Sequence, residues 1–230
     1  MKISVCMAAY RGEEFIEEQI GSVLSQLCES DELIVSDDAP GGKTEQIVKR
    51  LSKDDPRIKY IKGPSKGVVR NFENALNHAE GDIIFLCDQD DVWCDGKVRK
   101  TLDVIRGGAD LVLHDAKVTD GDLNVISESF FSVHNSKQGF WTNFIRNSYM
   151  GCCMAFTKET AKAALPFPDN IPMHDQWIGL VAEKRGKVVF LDEALILHRQ
   201  HGNNVTGGRT SAMQKLLWRT ALLKALFLAK

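Results

Sequence analysis

No segment of the 230 residues stays apolar for the roughly 20 positions that a bilayer-spanning helix needs. The apolar start from Lys2 to Ala8 is interrupted by Tyr10, Arg11, Glu13 and Glu14, so no signal-peptide core is expected either. An excess of one charge is also missing: 29 Lys and Arg against 31 Asp and Glu leave a formal net charge of −2. General nucleic-acid binding needs clustered positive charge to neutralise phosphates, so no nucleic-acid partner is expected. The six cysteines, Cys6, Cys28, Cys87, Cys94, Cys152 and Cys153, lack the close array of a structural zinc site, and reduced thiols in a cytoplasmic protein are expected. Asn204-Val205-Thr206 is read as a chance match to a glycosylation acceptor. What remains, 43% apolar and 26% charged residues, is the composition of a soluble globular chain with length for one substantial core.

Ile3 to Ala8 reads as a buried strand, and Ile16, Ile20, Val23, Leu24 and Leu27 recur at helical spacing in and just beyond the segment from Glu14 to Gln26. Leu33-Ile34-Val35 predicts a second strand ending at Ser36-Asp37-Asp38, and Gly41-Gly42 precedes a predicted helix from Lys43 to Leu51. A weaker strand at Ile58 to Ile61, a helix from Val68 to Ala79 and a strand at Ile83 to Cys87 repeat the rhythm of an α/β domain. Farther on, the pattern predicts a helix from Gly96 to Ile105 and strands at Leu111 to Leu113, Met150 to Phe156 and Val188 to Leu191. Asp115 to Phe140 reads as less regular, and Trp177 to Lys184 as a short helix. Neither a linker nor a repeated unit breaks the chain.

Asp37 and Asp38 follow one predicted strand, and Asp88, Asp90 and Asp91 follow another. Acids confined together repel, so a divalent cation or several donors would explain their clustering; helix caps and solvent-facing turns are the other reading. In open α/β sheets the crevice beyond the carboxyl ends of the strands takes the ligand. A hard cation, Mn2+ or Mg2+, accepts oxygen from both carboxylates and phosphates, which makes Asp88-Gln89-Asp90 a candidate for holding metal and diphosphate together. Cys152-Cys153 lacks a histidine-centred arrangement, so apolar packing is expected of the pair, with Gly151 placing backbone.

Read in order, Ala8-Ala9-Tyr10, Ser36-Asp37-Asp38, Lys66-Gly67, Arg70-Asn71 and Cys87-Asp88-Gln89-Asp90-Asp91-Val92-Trp93 resemble the nucleotide-binding half of family 2 glycosyltransferases. His174-Asp175-Gln176-Trp177 and Arg199-Gln200-His201-Gly202-Asn203-Asn204-Val205 resemble segments of its bacterial, rhamnosyltransferase-like branch. The resemblance implies a single A-type glycosyltransferase fold with a mixed, mostly parallel central sheet flanked by helices. It implies a catalytic domain over residues 1–205, with a nucleotide-binding half at 1–115 and an acceptor half at 116–205, followed by an amphipathic segment at 206–230. It also implies inverting transfer of a sugar from a UDP-sugar or dTDP-rhamnose to a saccharide or lipid-linked acceptor in cell-surface polysaccharide synthesis. Ala8, Tyr10, Asp37, Asp38, Arg70, Asn71, Asp88, Gln89 and Asp90 would contact the donor. Asp90 and His201 would hold the metal, with Asp88 as an additional candidate. Asp175 would be the base toward the acceptor hydroxyl, while Gly151, Trp177, Arg199, Gln200 and Asn203 would line the acceptor side or the closing loop. Many relatives carry Glu-Asp where this chain has His174-Asp175, a departure that touches base tuning or acceptor choice.

Ser211 to Lys230 combines Leu216, Leu217, Leu223, Phe227 and Leu228 with Lys215, Arg219 and Lys230, which suits either a peripheral contact with an anionic membrane or packing on protein. A nucleotide-sugar pyrophosphorylase or nucleotidyltransferase is the alternative enzyme. It is disfavoured because Arg11-Gly12 alone does not make a triphosphate loop. A sugar-nucleotide binding protein without catalysis is the third reading.

Overall fold

The computed structural model describes residues 1–201 and 211–228. In chain order the elements are β1 (Ile3–Ala9), α1 (Ile16–Leu24), β2 (Glu32–Asp37), α2 (Lys43–Asp54), β3 (Ile58–Lys62), α3 (Val68–Asn77), β4 (Ile83–Asp88), β5 (Val92–Trp93) and α4 (Lys97–Arg106). They continue with β6 (Leu111–Thr119), β7 (Val125–Ser127), α5 (Phe130–His134), α6 (Phe140–Ile145), a 3-10 turn at Gly151–Cys153, β8 (Met154–Thr157), α7 (Lys158–Ala164), α8 (His174–Arg185), β9 (Val188–Arg199) and α9 (Ala212–Leu228).

The strands form one sheet in the order β3-β2-β1-β4-β8-β6-β9-β5, with β7 added on β6. β1, β2, β3, β4, β6 and β9 share one direction, so the mixed sheet is mostly parallel. β1, β2 and β4 are covered on both faces, which is why they read as continuous apolar runs instead of alternating patterns. Their register sets the site: Ala8 lies opposite Ser36 on one side and Asp88 on the other, and Ala9 lies opposite Asp37. The carboxyl ends of β1, β2 and β4 therefore finish level, and their acids face one crevice.

The structure departs from the expected elements where polar residues are buried. β6 continues through Asp115 to Thr119, within the stretch read as irregular, because β9 pairs with it in parallel as far as Arg199. His114, Asp115 and Thr119 are buried in this strand and break its apolar signal. β9 runs to Arg199, beyond the expected end at Leu191. Gly151–Cys153 forms a turn where strand was expected, and β8 begins only at Met154. α8 starts at His174, ahead of the expected Trp177, with the Asp175 carboxylate in its first turn, where it accepts from the Gln176 N–H and faces the positive end of the helix dipole.

Residues His174 to Ala182 of α8 are all buried, so this helix is wrapped on every side. A methyl group at Gly179 would lie 2.3 Å from the Tyr149 ring, whose hydroxyl is tied to Glu183 at 3.0 Å. Gly179→Ala is therefore expected to destabilise the fold by about 1–3 kcal/mol, read as a lowered urea midpoint with unchanged slope.

Candidate active site

At the end of β2, Asp38 accepts from the Ser65 N–H at 2.8 Å and the Gly67 N–H at 2.7 Å, one bond to each carboxylate oxygen. Gly67 has φ +84, a left-handed conformation that favours glycine, and a Cβ on Gly63 would sit 2.5 Å from Asp38. The two glycines let the 63–67 turn close over Asp38. Asp37 is fully buried, accepting from Ala39 N–H and Tyr60 O–H, and burial pushes its carboxyl above the usual range. Its backbone carbonyl accepts from the Gly63 N–H at 2.7 Å and so holds the start of the 63–67 turn. Asn71 donates to the carbonyls of Ala9 (3.1 Å) and Ser36 (2.9 Å), tying the ends of β1 and β2 together.

Tyr10 follows β1 and is 55% exposed, while Ala8 within the strand is half-buried. The Gln89 amide meets the Tyr10 backbone as another strand would, accepting from its N–H at 2.9 Å and donating to its carbonyl at 3.0 Å. The middle residue of Asp88-Gln89-Asp90 thus anchors the Tyr10 loop. Arg70 goes elsewhere: it pairs with Glu73 and donates to the carbonyls of Phe167 and Pro168 and to the Asp169 carboxylate. Its described contacts fix the 167–169 loop, where a donor contact was expected.

β9 brings residues 198–201 back to the acidic turn. His201 Nε2 lies 2.8 Å from Asp90 Oδ2, and the Arg199 guanidinium donates to the Asp90 carbonyl and to Glu18. Phe15 packs between them, its ring 5.1 Å from His201 and 4.5 Å from the Arg199 guanidinium. Gln200 donates its N–H to Thr119. Asn203 lies outside the described residues.

The acids differ in what compensates them. Burial, reinforced by the neighbouring Asp91 and Asp90 charges, holds the Asp88 carboxyl well above its ordinary range. Asp90 is raised for the same reasons, burial first and then Asp91, against the opposing pull of His201. Burial alone would raise Asp91 too, but the His198 ring at 2.9 Å outweighs it and keeps Asp91 ionised below the usual range. The same pairing overcomes burial to raise His198, so the two form an internal ion pair. Beneath them, buried Lys97 donates to the Cys152 carbonyl at 2.8 Å and lies over the Trp93 ring.

Asp91, Cys152 and His198 also form a potential metal-binding cluster among the described residues, with ligand atoms all within 4.8 Å of one another. Asp88 and Asp90, each raised by burial and by the neighbouring Asp91 charge, offer the carboxylate oxygens that a hard divalent cation such as Mn2+ or Mg2+ takes, and its positive charge would offset that repulsion.

Asp175 is 7% exposed at the start of α8, accepting from Asn147 Nδ2 at 3.1 Å and Gln176 N–H at 2.5 Å. Burial pushes its carboxyl up to about 6, against the lowering effect of those bonds. His174 stacks on Phe72 at 4.1 Å, and burial brings it down to about 3, which keeps the ring neutral. The turn Gly151–Cys153 lies between these acids: Gly151 abuts the His174 ring, and Cys152 sits beside Asp91 and Asp88. Trp177, expected on the acceptor side, is 2% exposed and donates its indole N–H to Ala164. It packs in the core because it lies on a helix covered on every side. Asn147, His198, Lys97, Phe15 and Glu18 were absent from the sequence-derived site. Asn147, Lys97, Phe15 and Glu18 lie in no motif, whereas His198 directly precedes the Arg199 to Val205 segment, and that adjacency is the signal that points to it.

A mixed α/β sheet flanked by helices, with acids at the level ends of its parallel strands, is the architecture of a GT-A-like glycosyltransferase. The family model of glycosyl transferase family 2 matches residues 4–164, and the chain belongs to that family of enzymes. The chain is 26% identical to the dTDP-rhamnosyl transferase RfbG of Shigella flexneri, over 91% of this chain and 76% of the relative. It is 24% identical to an uncharacterized glycosyltransferase of Nostoc sp., over 89% of this chain, and spans 66% of that relative's length. The structure of S. aureus TarS 1-349 in complex with UDP-GlcNAc superposes with a TM-score of 0.76 at 19% identity, covering 98% of this chain and 67% of that one.

Proposed function

We propose that the chain transfers a sugar from a nucleoside diphosphate sugar, UDP- or dTDP-linked, to a hydroxyl of a saccharide or lipid-linked saccharide, with inversion at the anomeric carbon. The carrying observation is the Gly151–Cys153 turn, which adjoins the acidic turn through Cys152 and the His174-Asp175 pair through Gly151. A leaving diphosphate held on one side and an attacking hydroxyl on the other is the arrangement of a single displacement. Asp88, Asp90 and His201 would hold Mn2+ or Mg2+, which when bound neutralises charge on the departing diphosphate. Asp175 accepts the hydroxyl proton while the acceptor oxygen bonds to the anomeric carbon and the bond to diphosphate breaks. Ala8, Tyr10, Asp38 and Asn71 shape the nucleoside end. Asp37, Gln89 and Arg70 act one step removed, by holding the loops around it. Arg199 and Phe15 fix His201, and Gly151, with Gln200 and Asn203, borders the acceptor side.

The similarity to a dTDP-rhamnosyl transferase supports the rhamnosyltransferase-like branch and makes dTDP-rhamnose the first donor to test. Cell-surface polysaccharide synthesis at the cytoplasmic face of a membrane is the setting that fits such a reaction. The test is turnover by purified protein with UDP- and dTDP-sugars, oligosaccharide and lipid-linked acceptors and Mn2+, with the anomeric configuration read by NMR. Inverted product and loss of turnover with a chelator are expected. Retained configuration, chelator-resistant transfer, or no transfer across the panel by folded protein would each defeat the proposal.

A further inference from the structure

α9 is apolar on opposite faces. Leu222 and Leu226 are buried on the side of α8, and Lys184 of that helix donates to the Leu226 carbonyl at 2.7 Å. Met213, Leu216, Leu217 and Phe227 fall on the other face at helical spacing and are 54–85% exposed. Arg219 donates to the Ile145 carbonyl at 2.9 Å, so the end of α6 adjoins α9. α6 adds Trp141 and Ile145, both more than 60% exposed and spaced as neighbours on one helix face. So much clustered apolar surface marks a contact site.

The surrounding charge indicates what covers it. Along the chain, residues 129–157 and 211–230, which include α6 and α9, contain no Asp or Glu, yet carry Lys137, Arg146, Lys215, Arg219, Lys224 and Lys230; the acid brought beside Lys224 by the fold is Asp169 of the 167–169 loop. In a chain of net charge −2, this is strong segregation. A second copy docked by a twofold axis would set these cations against themselves. An anionic bilayer instead takes the apolar side chains between its headgroups and the cations at its surface. No helix among the described residues is long and apolar enough to cross a membrane, so the contact is a peripheral one.

We infer that α6 and α9 together form a docking surface for an anionic phospholipid bilayer. α6 leads within two residues to Asn147, which holds Asp175, and α9 packs on α8, whose first turn carries Asp175. The surface therefore adjoins the acceptor side of the site. This rests on the proposed transfer only in identifying the acceptor as lipid-linked.

The full chain is sedimented with vesicles of phosphatidylglycerol and phosphatidylcholine in equal parts, and with phosphatidylcholine alone. Binding about tenfold or more tighter to the anionic vesicles, weakened by salt, is expected. Leu216→Ser with Phe227→Ser, and separately Lys224→Glu, should each weaken it about tenfold while leaving the urea midpoint and nucleotide binding unchanged. Trp141→Ser gives an independent reading from α6 if the α9 double variant fails to fold. Equal binding to both vesicle types, no binding, or a concentration-dependent dimer in light scattering that Leu216→Ser dissolves would overturn the inference. Vesicle binding without sugar transfer would defeat the proposed reaction and leave the surface standing; transfer to a soluble acceptor without vesicle binding would do the reverse.

Discussion

Replacing Asp175 by Asn is expected to lower kcat by about 10²- to 10⁴-fold while leaving the donor KM within about threefold. Asn keeps the shape and an acceptor oxygen for Asn147 but cannot take the hydroxyl proton. The pH profile supplies a second signature. With the carboxyl raised to about 6 by burial, wild-type kcat/KM should fall as pH drops through that value, because the protonated acid is not a base. The residual activity of Asp175→Asn should lack this limb.

The stability effect has the opposite sign. A folded-state value above the ordinary 3.8 means that the folded protein binds this proton more tightly than the unfolded chain does. The associated stability is present below about 4 and is lost as pH rises through about 6. Near neutral pH, Asp175→Asn should therefore unfold later than wild type, by up to about 3 kcal/mol. A variant that loses turnover and stability together would indicate that Asp175 is structural.

Asp90→Asn is expected to weaken Mn2+-dependent binding of UDP by about 100-fold or more, read by calorimetry with and without the metal. Asp90 is held raised by burial and by Asp91, so removing its charge should cost little folding stability. Asp91→Asn is the contrast. It breaks a buried pair with His198 and should cost about 3–5 kcal/mol of stability. Adjacent acids in one turn would thus separate into a metal ligand and a brace. If Asp90→Asn binds UDP as wild type does in the presence of Mn2+, the metal site is misplaced.

That separation marks the limit of what could be read along the chain. β1, β2 and β4 are legible because burial on both faces writes continuous apolar runs, and Asp38 and Asp88 to Asp91 follow them directly. Parallel strands ending level are enough to gather those acids. Asp91 and His198 are 107 residues apart, and Asn147 and Asp175 are 28 apart; no periodicity reports either contact. Arg70 shows the same limit from the other side: the resemblance implies a contact with the donor, yet its described partners are Glu73 and the 167–169 loop.

Sequence alone determined the α/β class, the acidic strand ends and the family, because each is a property of neighbouring residues and their order. Only the tertiary structure decided which acid is paired, what surrounds Asp175 and which face of α9 stays bare. The physical reason is that these depend on the register of β6 against β9 and on the packing of α6, α8 and α9. Both bring together residues that chain order keeps far apart.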